Sequence, residues 1–521
     1  MASRARPLNP GPLNPGPLVL AAVLLALVAG PLAAVAARAG QFVMVPQDWA
    51  AVRFTLMQAT LSALISVALA VPVARALARR RFVGRQALIT LMGAPFLLPA
   101  MVAVLGLLAV FGRSGIMNDL LAAMGLPPVS IYGLHGVLLA HVFLNLPLAV
   151  RMILQGWQSI PAERFRLAAS LGFSPAEVAR HLERPMLRAV LPGATLVIFV
   201  ICLTSFAVVL TLGGGPAATT VELAIYQAVR FDFDLGRAAM LALVQLGLCA
   251  VAAGLVFGVA RQVGFGAGLD RSIVMPGPGG WHRWADGAAI AAAALFLLVP
   301  LGAVVLRGVP GLAEVPDVAF TAALRSVLVA IVSAAMTVVV ALVLADAVAR
   351  RARGFGFLEA AAVLPLATSG LVLGTGLFLI VQPVVSPLSV ALPVTVLVNT
   401  ALALPYVYRL VLPDAQTVAG DYGRLSDSLG VQGWARWRWI VLPRLARPVG
   451  FGAGVAAALS MGDLGVITLF AGGDQGTLPL VVQQLTGAYR MDAAAGAALL
   501  LVGLSFGLFW LCDWGGRRAS A

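Results

Sequence analysis

Residues 147–187 read PLAVRMILQGWQSIPAERFRLAASLGFSPAEVARHLERPML, and residues 405–445, which lie 258 positions later, read PYVYRLVLPDAQTVAGDYGRLSDSLGVQGWARWRWIVLPRL. Twelve of the 41 aligned positions are identical, and the alignment needs no gap. Most of the identical residues are polar, glycine or proline, so a shared aliphatic composition does not explain the match. Because internal repeats decide the architecture of a chain, we predict a fused pair of related halves.

The composition around these segments is that of a membrane protein. The 521 residues are 61% hydrophobic and 11% charged, with a mean hydropathy of +0.98, which exceeds the apolar content of ordinary soluble domains. Helices of about 20 apolar residues cross the hydrocarbon core of a bilayer. Twelve such runs are predicted, at 17–38, 54–78, 88–111, 132–156, 189–212, 237–260, 285–306, 319–348, 358–382, 389–412, 448–470 and 491–514.

The predicted fold class is therefore an all-α integral membrane protein with about twelve transmembrane helices. Six spans fall in each half, so both halves share one topology and are related by a pseudo-two-fold axis along the membrane normal. The proline-rich start is predicted to be a flexible tail, and a segment rich in glycine and proline joins the halves as a cytoplasmic linker. The predicted divisions are 1–16 for the tail, 17–260 for the first half, 261–284 for the linker and 285–521 for the second half.

The charge pattern reports topology and excludes several functions. All 35 basic residues are arginines, and the net charge is +14. Most arginines fall in segments that face the cytoplasm if both termini are cytoplasmic, which agrees with the positive-inside rule. They are not gathered on one soluble module, so we expect no nucleic-acid partner. A chain without lysine cannot carry the nucleotide-binding P-loop, and three cysteines inside apolar helices match no metal site.

The repeated segments each contain a connection longer than helical bundles usually need, at 162–187 and 420–445. The pattern predicts a short helix ended by a glycine in the left-handed conformation, and then a second short helix that runs toward a proline thirteen residues after that glycine. The proline can start the next helix without the loss of a needed hydrogen bond. Two short helices would meet at a fixed elbow, once in each half. The residues that define the two connections are Arg166, Leu167, Ala168, Gly172 and Pro185 in the first, and Arg424, Leu425, Ser426, Gly430 and Pro443 in the second.

A cytoplasmic loop with this glycine-to-proline spacing resembles the signature loop of the permeases of binding-protein-dependent ABC importers. The family consensus opens with Glu-Ala-Ala six residues before the glycine, whereas this chain has Arg166-Leu167-Ala168 and Arg424-Leu425-Ser426. The resemblance implies a type I importer fold in which each loop seats a coupling helix in a groove of an ATPase subunit. It also implies that the ATPase dimer hydrolyses ATP, and that the permease chain has no cofactor and no catalytic site of its own.

Within that family the chain resembles the fused permeases of thiamine importers. The resemblance covers nearly the whole chain and is strongest at 210–245, at Tyr132-Gly-Leu-His-Gly and at Ala140-His-Val-Phe-Leu-Asn-Leu-Pro. It implies import of thiamine, and potentially of its phosphates, across a bacterial inner membrane, with a periplasmic thiamine-binding protein as a further partner. Ferric-iron import is the alternative within the family, and an ion-coupled secondary transporter is the alternative outside it.

Asp463 is the candidate for the substrate path that stands out from the apolar spans. A charged side chain inside a membrane helix costs about 2.5–3.5 kcal/mol and indicates function by default. Its counterpart at the 258-residue offset is Ser205, so we expect the pair to face each other across the pseudo-axis. Phe206 and Tyr226 could then add cation–π contacts to a thiazolium ring. The alternative is that Asp463 only forms a hydrogen bond to a neighbouring helix.

Three further polar residues have simpler interpretations. Glu222 follows a glycine run and is predicted to be a solvated loop acid, with contact to a binding protein as the alternative. His135 and His141 lie near or within the fourth span, where packing or an interhelical hydrogen bond is expected. Since no paired carboxylates, activated nucleophile or His/Cys cluster is present, the sequence shows no sign of catalytic chemistry.

Overall fold

The computed structural model describes residues 15–39, 43–93, 98–259, 280–350, 354–472 and 475–519. It is helical throughout these residues, without a strand, which confirms the all-α prediction. The predicted tail at 1–16 and the predicted linker at 261–284 lie mostly outside the described residues. The second half begins with a helix at Trp281.

Each half is a succession of helices. The first half contains α1 (Gly16–Arg38), α2 (Pro46–Arg79), α3 (Arg85–Leu91), α4 (Ala100–Phe111), α5 (Ile116–Ala123), α6 (Leu134–Gln158), α7 (Ala162–Ser170), α8 (Pro175–Val178), α9 (Arg184–Leu203), α10 (Ala207–Leu212), α11 (Val221–Arg230) and α12 (Leu235–Val259). The second half contains α13 (Trp281–Gly311), α14 (Asp317–Ala349), α15 (Phe355–Val363), α16 (Gly370–Val381), α17 (Ala391–Ser428), α18 (Gly433–Arg436), α19 (Leu442–Met461), α20 (Gly465–Phe470), α21 (Leu478–Gly487) and α22 (Met491–Ala519).

In the described part of the chain, 11 helices are long and apolar enough to cross a membrane, or 12 if one bent pair counts as a span. That pair is Phe355–Ala367 with Gly370–Val381, and the two parts meet at 98°. The predicted straight span at 358–382 is therefore wrong in shape. The bend occurs at Thr368 and Ser369, and the Ser369 hydroxyl accepts a hydrogen bond from Val372 N (3.1 Å), which starts α16 in its new direction.

The predicted spans at 189–212 and 448–470 are also not single helices. Each is interrupted at a corresponding point, between α9 and α10 at Thr204–Phe206 and between α19 and α20 at Gly462–Leu464. The six-residue α10 and the six-residue α20 then continue the chain. These breaks place Ser205 and Asp463 in irregular backbone, which inside a membrane protein is tolerated where protein surrounds it.

The halves correspond in detail as well as in element order. Thr55 Oγ1 on α2 accepts a hydrogen bond from Val221 N at the start of α11 (2.9 Å). In the second half, Ser326 Oγ on α14 accepts one from Leu478 N at the start of α21 (2.8 Å). Hydroxyl groups at matching positions therefore satisfy the first free N–H of matching helices, as helix N-termini require.

The first helix of each half bridges to the other half. α1 packs between α12 of its own half and α15 and α16 of the second, while α13 packs between α22 of its own half and α2 and α4 of the first. Both bridges bring a glycine against a proline-bearing turn. A Cβ at Gly376 would lie 2.6 Å from the carbonyl carbon of Pro31, and a Cβ at Gly106 would lie 2.8 Å from the carbonyl oxygen of Pro300. We call α1 and α13 the bridging helices.

Gly376→Leu is expected to destabilise the protein, because its side chain would occupy the space of the α1 backbone. Overpacking of this kind costs about 1–3 kcal/mol. Thermal unfolding of the purified protein in detergent measures the loss. The matched control is Gly302→Leu on α13, where a Cβ would meet nothing within 4 Å. Equal melting temperatures for the two variants would contradict the close packing of α1 on α16.

Candidate functional site

The first repeated loop is built around Gly172, which lies in the left-handed conformation with φ 67°. Phe173 N donates to Ala168 O (2.9 Å) and Gly172 N donates to Ala169 O (3.1 Å), which is the Schellman arrangement that ends α7. Next, Ser174 N donates to the Glu177 carboxylate (2.7 Å), and Ser174 Oγ accepts from Glu177 N (3.3 Å). This capping box starts α8, so the elbow is fixed on both sides.

The second loop repeats the elbow at Gly430, where φ is 65°. Val431 N donates to Ser426 O (2.9 Å) and Gly430 N donates to Asp427 O (3.3 Å). Ser426 is buried, and its hydroxyl donates to Val431 O (2.6 Å), which adds a side-chain bond across the turn. The left-handed caps predicted at Gly172 and Gly430 are therefore both confirmed.

The predicted short helix before Gly430 is wrong in extent. Arg424 and Leu425 lie in the last turns of α17, a continuous helix of 38 residues, whereas α7 is a separate helix of nine residues. The difference traces to Pro161, whose counterpart in the second half is Ala419. A proline lacks the N–H that continues a helix and forces the preceding residue out of the α conformation, so only the first half is interrupted.

The spacing predicted that the proline of each loop starts a new helix, and this prediction is wrong. Pro185 and Pro443 are the second residues of α9 and α19, but each follows directly on a five-residue π-turn, Ala179–Glu183 and Trp437–Val441. The helices are therefore continuous from Pro175 to Leu203 and from Gly433 to Met461. In a π-turn the backbone hydrogen bonds join residues five apart instead of four. This change of spacing occurs just before the proline, which has no N–H to donate.

Each loop presents two leucines to its surroundings. Leu167 and Leu171 are 60% and 62% exposed, and Leu425 and Leu429 are 52% and 68% exposed. Residues four apart share one helix face, so each loop carries an apolar pair beside its glycine. We call these the leucine pairs. Arg166 is exposed and forms an ion pair with Glu163 of its own helix (3.2 Å).

Buried ion pairs fasten both loop helices to the second helix of their half. In the first half, Glu183 of the π-turn binds Arg79 (2.7 Å) and Arg75 (2.9 Å) on α2. In the second half, Arg436 on α18 binds both carboxylate oxygens of Asp346 on α14, at 2.8 and 3.0 Å. Bidentate pairs of this kind fix geometry as well as charge. We call these ion pairs the loop clamps.

The two loop clamps have opposite polarity. Arg75 and Asp346 occupy matching positions, 271 residues apart, as do Thr55 and Ser326 that start α11 and α21. The base lies on the long helix in the first half and on the loop helix in the second. A comparison that seeks identical residues passes over these clamps. The loop residues do not match each other either, because Glu183 corresponds to Val441 and Arg436 corresponds to Val178.

The predicted substrate-path residues lie at the helix breaks. Ser205 Oγ lies 2.8 Å from His141 Nε2, and His141 Nδ1 lies 3.0 Å from Ser62 Oγ, so His141 has the interhelical hydrogen bonds that the sequence suggested. Asp463 Oδ1 accepts from Gly465 N (3.2 Å) at the start of α20. Ser205 and Asp463 thus each have a partner within their own half.

Aromatic residues surround the first of these breaks. Phe206 and Tyr226 meet edge to face with centroids 5.4 Å apart, and Tyr226 meets Phe231 in the same manner at 5.7 Å. Phe206 and Tyr226, the two aromatic candidates for the substrate path, therefore lie side by side. Burial raises the pKa of Tyr132, which precedes α6, and the hydroxyl of Tyr489 from the second half raises this pKa further.

Glu222 is not the solvated loop acid that the sequence predicted. It lies in the first turn of α11 and is 1% exposed. α11 packs on α12, which carries Gln245, and on α16 of the second half, which begins directly after Ser369. Thr55 holds the start of α11 inside the bundle, which explains the burial. The sequence offered no signal for it, because the preceding glycines and threonines are typical of an exposed turn.

No group of three or more His, Cys, Asp or Glu side chains that could hold a metal ion occurs among the residues with described positions. Cys202 and Cys249 are buried singly, which fits the packing role predicted for them.

Comparisons with known proteins agree with the duplicated helical architecture. No family model matches the chain. The thiamine transport system permease protein ThiP of Salmonella typhimurium is 40% identical over 526 residues, covering 98% of each chain. The protein of the same name from Escherichia coli is 40% identical over 528 residues with the same coverage, and that of Brucella abortus is 38% identical over 486 residues, covering 89% of this chain and 87% of its own. The chain belongs to the family of thiamine transport system permease proteins.

Proposed function

We propose that the protein is the membrane permease of an ATP-driven importer and that thiamine is its substrate. The observation that carries this proposal is the pair of matching loops, each with a left-handed glycine and an exposed leucine pair, in a chain whose relatives are thiamine permeases. Two equivalent loops fit a partner with two equivalent binding sites. Thiamine phosphates fall under the same proposal, because they carry the same cationic thiazolium ring.

The partner that fits the loops is a dimer of ATPase subunits on the cytoplasmic side. The arginines near the ends of α2 and α14 support a cytoplasmic location for the loops by the positive-inside rule, and with it a bacterial inner-membrane protein whose termini are both cytoplasmic. ATP is then bound and hydrolysed by the partner, and this chain needs no cofactor. A periplasmic binding protein would deliver thiamine to the opposite side of the membrane.

The loop clamps support transmission of movement from such a partner. A force applied to α8 or α18 reaches α2 or α14 through buried, short ion pairs rather than through a flexible connection. Each partner shifts the equilibrium between outward- and inward-facing states only by binding the two states with different affinity. The leucine pairs provide the contact, and the clamps carry it into the membrane.

The substrate path is proposed to run along the helix breaks that hold Ser205 and Asp463, beside Phe206 and Tyr226. Non-helical backbone within a transporter lines binding sites near the bilayer midplane. Asp463 Oδ2 is buried without a hydrogen-bond partner, so one of its oxygens is free to interact with a cation.

Asp463→Asn is expected to lower thiamine uptake several-fold, because it removes a negative charge from the path while it retains the hydrogen bond to Gly465 N. Uptake of labelled thiamine at matched expression measures the effect. Ser205→Ala is the paired variant from the first half, for which a smaller effect is expected since no charge is lost. Unchanged uptake by Asp463→Asn would assign the residue to the capping of α20 alone.

The function itself is tested by uptake of labelled thiamine in cells with and without the gene, with excess unlabelled thiamine or ferric iron as competitor. Loss of uptake on deletion, with competition by thiamine alone, is the expected result. Competition by ferric iron would indicate that ferric iron is the substrate instead of thiamine. Uptake that persists when ATP is depleted but a proton gradient is maintained would indicate a secondary transporter.

A further inference from the structure

The Glu222 carboxylate lies between the two halves of the protein and is held there by the fold. Thr220 Oγ1 accepts from Leu223 N (3.4 Å) and Thr55 Oγ1 accepts from Val221 N (2.9 Å), so the first turn of α11 is fixed on both sides of Glu222. α11 packs on α12, which carries Gln245, and on α16 of the second half, which begins directly after Ser369. The acid is therefore positioned by both halves.

Two oxygen atoms at this place have no hydrogen-bond donor. Glu222 Oε1 is buried without a partner, and so is Gln245 Oε1, whose amide nitrogen is committed to Leu203 O (3.0 Å). Both residues are at most 1% exposed. Buried acceptors without donors are costly, and an acid inside a membrane protein costs more still. A cationic ligand would satisfy both oxygens.

The same helix presents an aromatic side chain beside the acid. Tyr226 follows Glu222 by four residues and therefore lies on the same face of α11. Phe206 and Phe231 both meet it in T-shaped contacts, so Tyr226 belongs to an aromatic cluster next to the acid. A carboxylate, an amide oxygen and an aromatic ring suit a flat organic cation, which ring faces attract electrostatically.

We propose that Glu222 is the counter-charge of a single binding site for the cationic ring of the substrate, at the contact between the halves. The proposal rests on the proposed thiamine import and names the residue that recognises the positive charge. Asp463 differs from Glu222 in that one of its oxygens caps α20 within its own half, which leaves only Oδ2 for a cation on the path.

The site occurs once because the halves differ here. In α21, Leu478 matches Val221 by its hydrogen bond to Ser326, so the residue that matches Glu222 is Pro479. Since α16, which packs on α11, belongs to the second half, any movement of the halves alters what surrounds the carboxylate. The site would then have different affinity in the outward- and inward-facing states, which transport requires.

The test is uptake of labelled thiamine by the full importer, together with direct binding of thiamine to the permease in lipid nanodiscs. For Glu222→Gln we expect at least a tenfold rise in KM and in Kd with an unchanged melting temperature. Glu222→Asp, which keeps the charge, should change both by less. Unchanged KM and Kd for Glu222→Gln would overturn the proposal while wild-type uptake leaves the transport function intact. Absence of thiamine uptake by the wild type would overturn both.

A second pair of variants decides the matter should Glu222→Gln fail to accumulate. Tyr226→Phe keeps the ring and is expected to raise KM less than Tyr226→Leu, which removes the ring and is expected to raise KM several-fold. Equal KM values for the phenylalanine and leucine variants would overturn the aromatic part of the site, and the counter-charge role of Glu222 with it.

Discussion

Arg436→Ala will cost the protein about 3–5 kcal/mol of folding free energy, the usual loss when one member of a buried ion pair is removed. Asp346 would remain in the protein interior without the two hydrogen bonds, at 2.8 and 3.0 Å, that now neutralise it. Thiamine uptake is expected to fall with the loss of stability. Thermal unfolding in detergent and uptake at matched expression measure the two effects.

The control for this prediction reverses the clamp. Arg436→Asp combined with Asp346→Arg places the base on the long helix and the acid on the loop helix, which is the polarity already present in the first half. Each single substitution should be severely destabilising, and the double variant should recover most of the loss. Additive losses in the double variant would show that the clamp acts by something other than charge pairing.

The variant with Leu167, Leu171, Leu425 and Leu429 all changed to glutamate is expected to lose thiamine uptake almost completely while it remains folded. The four side chains are more than half exposed, so their replacement removes little buried area, and surface substitutions away from special features change stability by about 0.5 kcal/mol at most. The charges would oppose burial of these faces against an ATPase. Co-purification of the ATPase and the melting temperature separate the two effects.

The matched control lies on α5, beyond the opposite end of α6. Leu120 and Met124 are 56% and 65% exposed and are also four residues apart. Their replacement by glutamate should leave uptake and ATPase co-purification unchanged. A loss of ATPase binding in this control, or normal uptake in the loop variant, would refute the assignment of the leucine pairs as the contact surface.

Hydropathy predicted the number and order of the spans because burial in lipid imposes the same requirement on every helix. It did not predict the breaks at Ser205, at Ser369 and at Asp463, since apolar residues continue on both sides of each break. At each break the direction of the following helix is set by helix caps and packing, for example by the Ser369 hydroxyl that accepts a hydrogen bond from Val372 N. A hydropathy average does not detect such contacts.

The loops were predictable because duplication preserved identical residues, above all the glycines whose positive φ few other residues adopt. The loop clamps were not, since their residues differ in kind while the interaction is retained. Glu222 was hidden for a different reason: its helix, α11, packs against α16, which belongs to the other half. Contacts between the halves leave no periodic pattern in either one.

The bridging helices set a limit on how the protein can open. α1 and α13 each touch both halves, with Gly376 against Pro31 and Gly106 against Pro300. The first helix of each half is therefore packed against the other half. Full separation of the halves would break the contacts of both bridging helices at once. We therefore expect the halves to rock by a small amplitude about α1 and α13. The same packing predicts that the protein would hold together as two polypeptides if the chain were cut between Val259 and Gly280.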